Sequence, residues 1–421
     1  MLRREDNELL TRVGPGTVMG SFLREYWVPA WRSDAVIANG APVRVRLFGE
    51  NFVAFRGEDG VVGFLDEACP HRRASLALAR NEDNALHCIF HAWKINAAGC
   101  VLDTPCEPPA RRAAFAANIK VRHFPVREAG GMIWVYLGSQ SEPPAFPEFE
   151  FNTLPASHVF ARRAPVHYNW LQGLEAHLDA SHVGVLHSGH LKSGRRTGSL
   201  VLTTNDVAPR TEMVPTNYGL REGAVRDWGD GTTYARIREV VLPFFVFIAQ
   251  DADQPGSGRA TIPIDDEWDA EWYIHYDLHK PLTREFIEST MSGTSGDPNN
   301  WASNLGTVEN MWHQDRDAMQ THWSGITSNI PFEDFVIEAS MGPLVDRSLE
   351  QLGAADVILV RVRQQLLDAV QAFQRGEPLP WRTDVDFSRI RALATMMPSD
   401  TDWRSVDTID YQSPIRPVAA E

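Results

Sequence analysis

Two cysteines and two histidines form a paired pattern early in the chain. One residue separates Cys69 from His71, and two residues separate Cys88 from His91. Zinc sites in small domains more often begin with two cysteines that have two or four residues between them. Two thiolates on one iron and two neutral imidazoles on the other describe a [2Fe-2S] centre with a raised reduction potential. The pattern predicts such an electron-transfer cluster, with a zinc site or unrelated buried cysteines as less favoured alternatives.

A second set of metal-ligating residue types lies in the tract LEAHLDASHVGVLH. On a straight α-helix Glu175, Asp179 and His182 would share one face, whereas His187 would point away from it. We therefore expect the helix to widen or end before His187, at Gly184. Two histidines and a carboxylate that leave open positions form the facial triad of non-haem Fe(II) sites that activate dioxygen.

The spacing alone does not decide which carboxylate completes this triad. Glu333, Asp334 and Glu338 in the tract IPFEDFVIEAS are all candidates. Asp179 is better suited to accept the ring N–H of His182 than to bind the metal, because such a contact fixes the tautomer of the imidazole and raises its basicity. In the absence of the first pattern, His182 and His187 would be interpreted as ordinary residues at a helix end.

The composition is that of a globular protein with more than one domain. The chain has 421 residues, of which 43% are hydrophobic and 23% are charged. A formal net charge of -15 argues against a surface that binds nucleic acid. The first residues lack the apolar segment of a signal peptide, and VVLPFFVFIA is too short to span a bilayer, so we expect a cytoplasmic protein. The four cysteines are too few for a disulfide framework, and we predict that Cys100 and Cys106 are small buried residues.

Both metal patterns need elements that hold them in place. Alternating apolar residues and Gly-bearing turns predict β-hairpins through the first third of the chain. The proline-rich tract 139–155 predicts a connection between domains. We therefore predict a domain over residues 1–145, with a short N-terminal helical segment, and a second domain over 146–421. The second is predicted to be α+β with an antiparallel sheet and a long helix near its end, because Ile358, Val362, Leu366, Val370 and Phe373 recur at helical spacing.

The two patterns together resemble the Rieske non-haem iron oxygenases. Pro70 follows the first cysteine and Trp93 lies two residues after the second histidine, as in the Rieske signature, and D-x2-H-x4-H is similar to the catalytic motif of the same family. The tracts YWVPAW, IPIDDEW and DRSLEQLGAADVILVRVRQQL resemble its phthalate-dioxygenase-like branch. The resemblance implies a terminal oxygenase component (alpha subunit) with an all-β Rieske domain and a helix-grip-like catalytic domain.

The resemblance also implies site residues and partners. It assigns the [2Fe-2S] cluster to the four residues of the first pattern and Fe(II) to His182, His187 and Asp334. It implies that Asp179 bridges to a Rieske histidine of a neighbouring subunit, which by position is His91, so that electrons cross between subunits of a homo-oligomer, typically a ring of three. A separate NAD(P)H-dependent reductase or ferredoxin would supply the electrons.

The implied activity is insertion of oxygen from O2 into a small aromatic substrate by hydroxylation or dihydroxylation. The alternatives are an aryl-ether O-demethylase with the same metal centres and, more remotely, a Rieske electron carrier without oxygenase activity. Arg236 and Arg238 alternate with apolar residues in TYARIRE, so one strand face could present guanidinium groups to an aromatic carboxylate. Surface placement is the more common fate of arginine and is the favoured alternative.

This chain departs from the family around the cluster. The family usually has CPHRG and YHGW, whereas this chain has Arg73, Phe90 and Ala92 at the differing positions. Loss of the tyrosine hydroxyl should lower the cluster potential, since hydrogen bonds to sulfur favour the reduced form, and Arg73 should raise it. His190 and the tract KSGRRTG are predicted to form a mobile loop without a chemical role.

Overall fold

The computed structural model describes residues 2–193 and 198–411, which form two compact units. One unit comprises residues 13–146, and the other comprises residues 2–12 and 147–411. Helix α1 (Arg4–Thr11) belongs to the second unit, where the Trp170 indole N–H donates to the Leu10 carbonyl at 3.1 Å. The sequence assigns this helical segment to the first domain, and that assignment is wrong; the boundary at residue 145 stays a prediction. No helix in the described ranges is long and apolar enough to cross a membrane.

The first unit is built from antiparallel strands, as the alternation of apolar residues predicts. Its sheets have the orders β1-β10-β9, β2-β3-β4 and β5-β6-β7-β8. The elements are α2 (Val18–Leu23), β1 (Val28–Arg32), β2 (Val43–Leu47), β3 (Glu50–Arg56), β4 (Val62–Asp66), β5 (Arg80–Glu82), β6 (Ala85–His87), β7 (Lys94–Asn96), β8 (Val101–Asp103), α3 (Pro109–Ala116), β9 (Val126–Ala129) and β10 (Met132–Val135). A core that includes Phe55, Leu65 and Trp93 buries the thiols of Cys69 and Cys88.

The second unit is built around one large antiparallel sheet. Its strand order is β11-β17-β16-β15-β14-β13-β12, and β18 also pairs with β14. The strands are β11 (Val159–Val166), β12 (Arg210–Thr216), β13 (Gly219–Asp227), β14 (Thr232–Val241), β15 (Phe245–Phe247), β16 (Gly256–Pro263), β17 (Asp269–Tyr276) and β18 (Leu393–Pro398). Alternate residues of these strands share a face, and the face that carries Arg238 on β14 and Glu271 on β17 packs against helix α5 (Trp170–Leu178). We call it the inner face.

The remaining helices surround this sheet. They are α4 (Glu150–Thr153), α6 (His182–Leu186), α7 (Ser188–Leu191), α8 (Arg284–Thr290), α9 (Ile330–Ser340) and α10 (Val357–Gln374). The stripe predicted for the long helix α10 is confirmed, because its first four residues are fully or almost fully buried, whereas Phe373 is partly exposed. The α+β class with an antiparallel sheet is therefore confirmed for the second unit.

Candidate metal centres

The residues of the first pattern meet at the tips of two loops. Cys69 and His71 lie in the turn after β4, and Cys88 and His91 lie in the turn between β6 and β7. The imidazole ring centroids of His71 and His91 are 4.5 Å apart. Both thiols are buried, and burial together with the neighbouring Cys88 raises the pKa of the Cys69 thiol. A buried thiol becomes a thiolate only beside a cation or a metal ion, so the loops favour metal ligation.

The two loops share one backbone conformation. In each, the N–H of the residue four positions after the cysteine donates to the cysteine carbonyl: Arg73 to Cys69 at 2.9 Å and Ala92 to Cys88 at 2.8 Å. Arg73 and Ala92 both have positive φ, 64° and 55°, where glycine is favoured. These are two of the three positions at which the chain departs from the usual Rieske signature. The departures therefore leave the loop geometry in place and put side chains where glycine is the unstrained choice.

These loops fit a [2Fe-2S] cluster with mixed ligands. The Nδ1 atom of His91 is buried and has no hydrogen-bond partner in residues 2–193 and 198–411. An unpartnered buried nitrogen beside two buried thiols is costly for a protein unless a metal ion takes the lone pair. The ring of His71 stacks on Trp93 with centroids 4.7 Å apart, which fixes the orientation of the imidazole.

The residues of the second pattern converge on one point. The Nε2 atoms of His182 and His187 lie 3.5 Å and 3.1 Å from the same oxygen, Oδ1 of Asp334 in α9. Bonds of about 2.1 Å to one metal ion place neighbouring ligand atoms about 3 Å apart, so these separations suit a single cation. Two imidazoles and one carboxylate are the donor set of the facial triad.

The helix break that makes this convergence possible is not where the sequence predicts it. Helix α5 ends at Leu178 and α6 begins at His182, so the break spans residues 179–181. His187 follows the end of α6. Gly184 lies inside α6, where a Cβ atom would be 2.3 Å from the carbonyl oxygen of Thr203. Gly184 therefore permits close packing, and the prediction that it breaks the helix is wrong.

Each triad histidine contacts a second carboxylate through its other ring nitrogen. Oδ2 of Asp179 lies 3.3 Å from Nδ1 of His182, and Oε2 of Glu333 lies 2.7 Å from Nδ1 of His187. The contact predicted for Asp179 is thus present. Glu333, one of three candidate ligands in the sequence, lies on the side of His187 away from Asp334. Its contact could not be found from spacing, because it joins residues 146 positions apart.

The pKa values describe a strongly anionic site. Burial alone would lower the pKa of His187, yet Asp334 and Glu333 raise it to about 10. Burial would raise the pKa of Asp334, and the two histidines lower it. The pKa of Asp179 falls to about 2 because the contact with His182 outweighs burial. Such a site stabilises positive charge at its centre, as a site for a divalent cation must.

Three other acidic residues near these motifs have structural roles. Glu175 forms ion pairs with Arg347 at 2.9 Å and with Arg363 at 2.6 Å, so it does not belong to the metal centre. Glu338 and Asp346 are predicted to be partners of Arg347 or solvated charges. The partner of Arg347 is Glu175 instead, and burial, the main cause, raises the pKa of Glu338 well above its usual range.

Arg236 and Arg238 are both buried on the inner face, so the surface placement favoured for arginine is wrong here. Arg238 donates to the carbonyls of His177 and Leu178 and, at 3.3 Å, of Asp179. Its guanidinium also pairs with Glu222 through two hydrogen bonds. These contacts use Arg238 to close the end of α5, which leaves Arg236 as the arginine of the predicted pair that is available to a substrate.

Two further arginines on the inner face carry no sequence signal. The guanidinium carbon of Arg259 lies 3.8 Å from the ring centroid of Tyr273, and that of Arg162 lies 4.1 Å from the ring centroid of Trp301. The negative charge of Asp334 raises the pKa of Arg259, although burial, the largest effect, lowers it. Arg259 therefore lies within electrostatic range of the triad.

Comparisons with known families agree with both sites. Residues 26–125 match the Rieske [2Fe-2S] domain, and residues 135–419 match the family described as LigXa C-terminal domain like. The chain is 34% identical to the oxygenase subunit of 3-chlorobenzoate-3,4-dioxygenase from Comamonas testosteroni, over 96% of this chain and 98% of that protein. The chain is a Rieske-type oxygenase subunit. Enzymes of this family work with a separate reductase or ferredoxin, and they carry a [2Fe-2S] cluster and a mononuclear iron.

Other relatives of this oxygenase are similar over most of their length. It is 34% identical to the phthalate 4,5-dioxygenase oxygenase subunit of Pseudomonas putida, over 98% of this chain and 95% of that protein. It is 29% identical to the 5,5'-dehydrodivanillate O-demethylase oxygenase subunit of a Sphingobium strain, over 90% of this chain and 82% of that protein. The structure of NdmA from Pseudomonas putida with caffeine has the same fold at 17% identity, with a TM-score of 0.60 over 84% of this chain and 92% of that chain.

Two predictions outside the metal patterns are corrected by the structure. Cys106 is exposed and Cys100 is partly exposed, so neither is the buried small residue that the sequence predicts. His190 lies in α7 and is 4% exposed, so it is not part of a loop. Residues 194–197 of the predicted loop lie outside the described residues.

Proposed function

We propose that this oxygenase inserts oxygen from O2 into a small aromatic carboxylate, by hydroxylation or dihydroxylation. Cys69, His71, Cys88 and His91 would hold the [2Fe-2S] cluster. His182, His187 and Asp334 would hold the iron. When bound, the cluster relays electrons one at a time, and the iron provides open positions for O2 chemistry beside the substrate.

The carboxylate in this proposal is supported by uncompensated positive charge on the inner face. Arg162, Arg236 and Arg259 have no ion-pair partner among residues 2–193 and 198–411. Burial, the largest cause, lowers the pKa of Arg162 to about 9, which shows that its positive charge is poorly compensated. A buried guanidinium without a counter-ion is costly, and a bound carboxylate would pair with it through two parallel hydrogen bonds.

The test is oxygen uptake by the purified oxygenase with a ferredoxin and its reductase. Benzoate and phthalate derivatives are compared with the corresponding amides. We expect uptake with the acids, and we expect Arg236→Ala to reduce the preference for an acid over its amide at least tenfold. Equal turnover of acids and amides by the wild type would exclude a carboxylate substrate. Unchanged kinetics of the variant with both compounds would exclude Arg236 as the recognition residue.

The second candidate is aryl-ether O-demethylation. It is favoured by the similarity to the 5,5'-dehydrodivanillate O-demethylase subunit. Demethylation of a methoxyarene releases formaldehyde in proportion to the O2 consumed, whereas ring hydroxylation releases none. A screen of methoxybenzoates that measures formaldehyde beside oxygen uptake therefore separates the two activities.

Asp179 would couple the two metal centres. Its carboxylate accepts the ring N–H of His182, and we propose that it also reaches His91 in a neighbouring subunit of a ring of three. Asp179→Asn should leave both centres filled while slowing electron transfer between them. Unimpaired product formation by this variant would refute the role. A trimeric state and a cytoplasmic location remain predictions, which size-exclusion chromatography with light scattering and cell fractionation would test.

A further inference from the structure

Glu333 is a buried carboxylate whose contacts are all with uncharged or titratable partners. It is 0% exposed. Its Oε2 atom faces Nδ1 of His187 at 2.7 Å, and its Oε1 atom accepts a hydrogen bond from the Ser324 hydroxyl at 2.5 Å. Within the described residues, the basic groups in ion-pairing range of Glu333 are the imidazoles of His187, His190 and His322. A buried carboxylate in such surroundings needs a specific reason to be retained.

We propose that Glu333 is the positioning residue for His187. Because a carboxylate only accepts hydrogen bonds when ionised, it holds the proton of His187 on Nδ1. The lone pair of the imidazole is then on Nε2, the atom that lies 3.1 Å from Oδ1 of Asp334. The contact thus selects the tautomer and ring orientation that a metal ion requires, and the negative charge of Glu333 makes His187 a stronger donor. This inference rests on the proposed role of His187 as an iron ligand.

The contact with Glu333 should matter more than the equivalent contact of the other histidine. The side chain of Asp179 is 31% exposed and lies 3.3 Å from His182, whereas that of Glu333 is fully buried and lies 2.7 Å from His187. Charge interactions are stronger where water is excluded. The Ser324 hydroxyl further fixes the carboxylate of Glu333, since it occupies the oxygen that does not face His187.

The same group could instead be a second metal site, because donor atoms of His190, His322 and Glu333 lie within 4.8 Å of one another. The distances argue against this. Nε2 of His190 and Nδ1 of His322 lie 3.9 Å and 4.0 Å from the Glu333 oxygens, which is wider than the corresponding distances in the triad. Nε2 of His190 also donates to the carbonyl of Ile326 at 3.1 Å. A hydrogen-bonded shell around Glu333 accounts for both observations.

The experiment measures Fe(II) binding by the full chain with its cluster in place. Glu333→Gln keeps the shape of the side chain and removes its charge, and Glu333→Ala removes the contact. The matched control is Glu338→Gln, the same substitution in the same helix at a buried carboxyl whose pKa is raised well above its usual range. The visible spectrum of the cluster and the thermal unfolding midpoint report folding independently of the iron.

We expect the dissociation constant of Fe(II) to rise about 10- to 100-fold in Glu333→Gln and more in Glu333→Ala, while the control stays within about twofold of the wild type. The nitrosyl complex of the Fe(II) form should show an altered EPR signal only in the Glu333 variants. Wild-type affinity and EPR signal in folded Glu333→Gln and Glu333→Ala would overturn the proposal, and so would two tightly bound metal ions per subunit besides the cluster. His187→Ala tests the ligand assignment separately, since retention of iron by that variant would contradict the proposed function itself.

Discussion

Arg238→Met should strongly destabilise the second unit. Arg238 is 4% exposed, and its guanidinium pairs with Glu222, which is 0% exposed. Methionine fills a similar volume but leaves a buried carboxylate without its partner, which costs roughly 3–5 kcal/mol. The substitution also removes the donors from the carbonyls at the end of α5, each worth about 1 kcal/mol. We therefore expect the free energy of unfolding to fall by about 4 kcal/mol or more.

A double-mutant cycle separates the ion pair from the helix end. When Glu222→Leu is added to Arg238→Met, no charge remains buried and only the contacts to the carbonyls are lost. We expect the double variant to be more stable than Arg238→Met alone by about 2 kcal/mol. Urea denaturation followed by tryptophan fluorescence gives the three free energies, and the cluster absorbance identifies unfolding of the first unit.

The alternative is that Arg238 binds the substrate carboxylate. In that case Arg238→Met would be about as stable as the wild type, and its KM would rise for an aromatic acid but not for the amide. That pair of results would refute a structural role for Arg238. A destabilised variant that still prefers the acid over its amide would agree with the contacts described above.

Three further predictions concern the cluster loops and the sheet. Ala92→Gly should stabilise the first unit by about 1 kcal/mol, because Ala92 has φ of 55°; the midpoint for loss of cluster absorbance on heating measures this, and a fall would contradict it. Phe90→Tyr should raise the cluster potential by adding a hydrogen bond to sulfur, and an unchanged redox titration would exclude that effect. Burial, the main cause, raises the pKa of Glu239 from 4.5 to about 7, so its ionisation reduces stability as pH rises between these values. Glu239→Gln should therefore remove up to about 3 kcal/mol of pH dependence, and identical stability curves from pH 4.5 to 8 would refute the shift.

The residues of both metal centres could be predicted from the sequence because metal ligation restricts residue type and spacing. The pattern of Cys69, His71, Cys88 and His91 has few structural alternatives. The alternation of apolar residues likewise predicted the β class of the first unit, and the stripe from Ile358 predicted α10. In each case the signal lies in residues that are close along the chain.

The predictions that failed depend on contacts between distant parts of the chain. The break after α5 is stabilised by Arg238 on β14, and neither the sequence near Leu178 nor Gly184 reveals it. The ion pair of Glu175 with Arg347 joins residues 172 positions apart. Glu333 and Asp334 are neighbours in sequence, yet they contact opposite nitrogens of His187. One sequence without aligned relatives does not distinguish such roles.

The placement of α1 with the second unit makes the chain topologically nested. The side chain of Asn7 donates to the carbonyl of Val345 at 2.9 Å and accepts from the guanidinium of Arg347 at 3.2 Å. Segments from the two ends of the polypeptide must therefore meet before the catalytic half is complete. During synthesis the iron–sulfur half can mature on the ribosome, while α1 waits for partners that are translated more than 300 residues later. An expression strategy that begins at residue 13 would remove this helix and its contacts with Arg347.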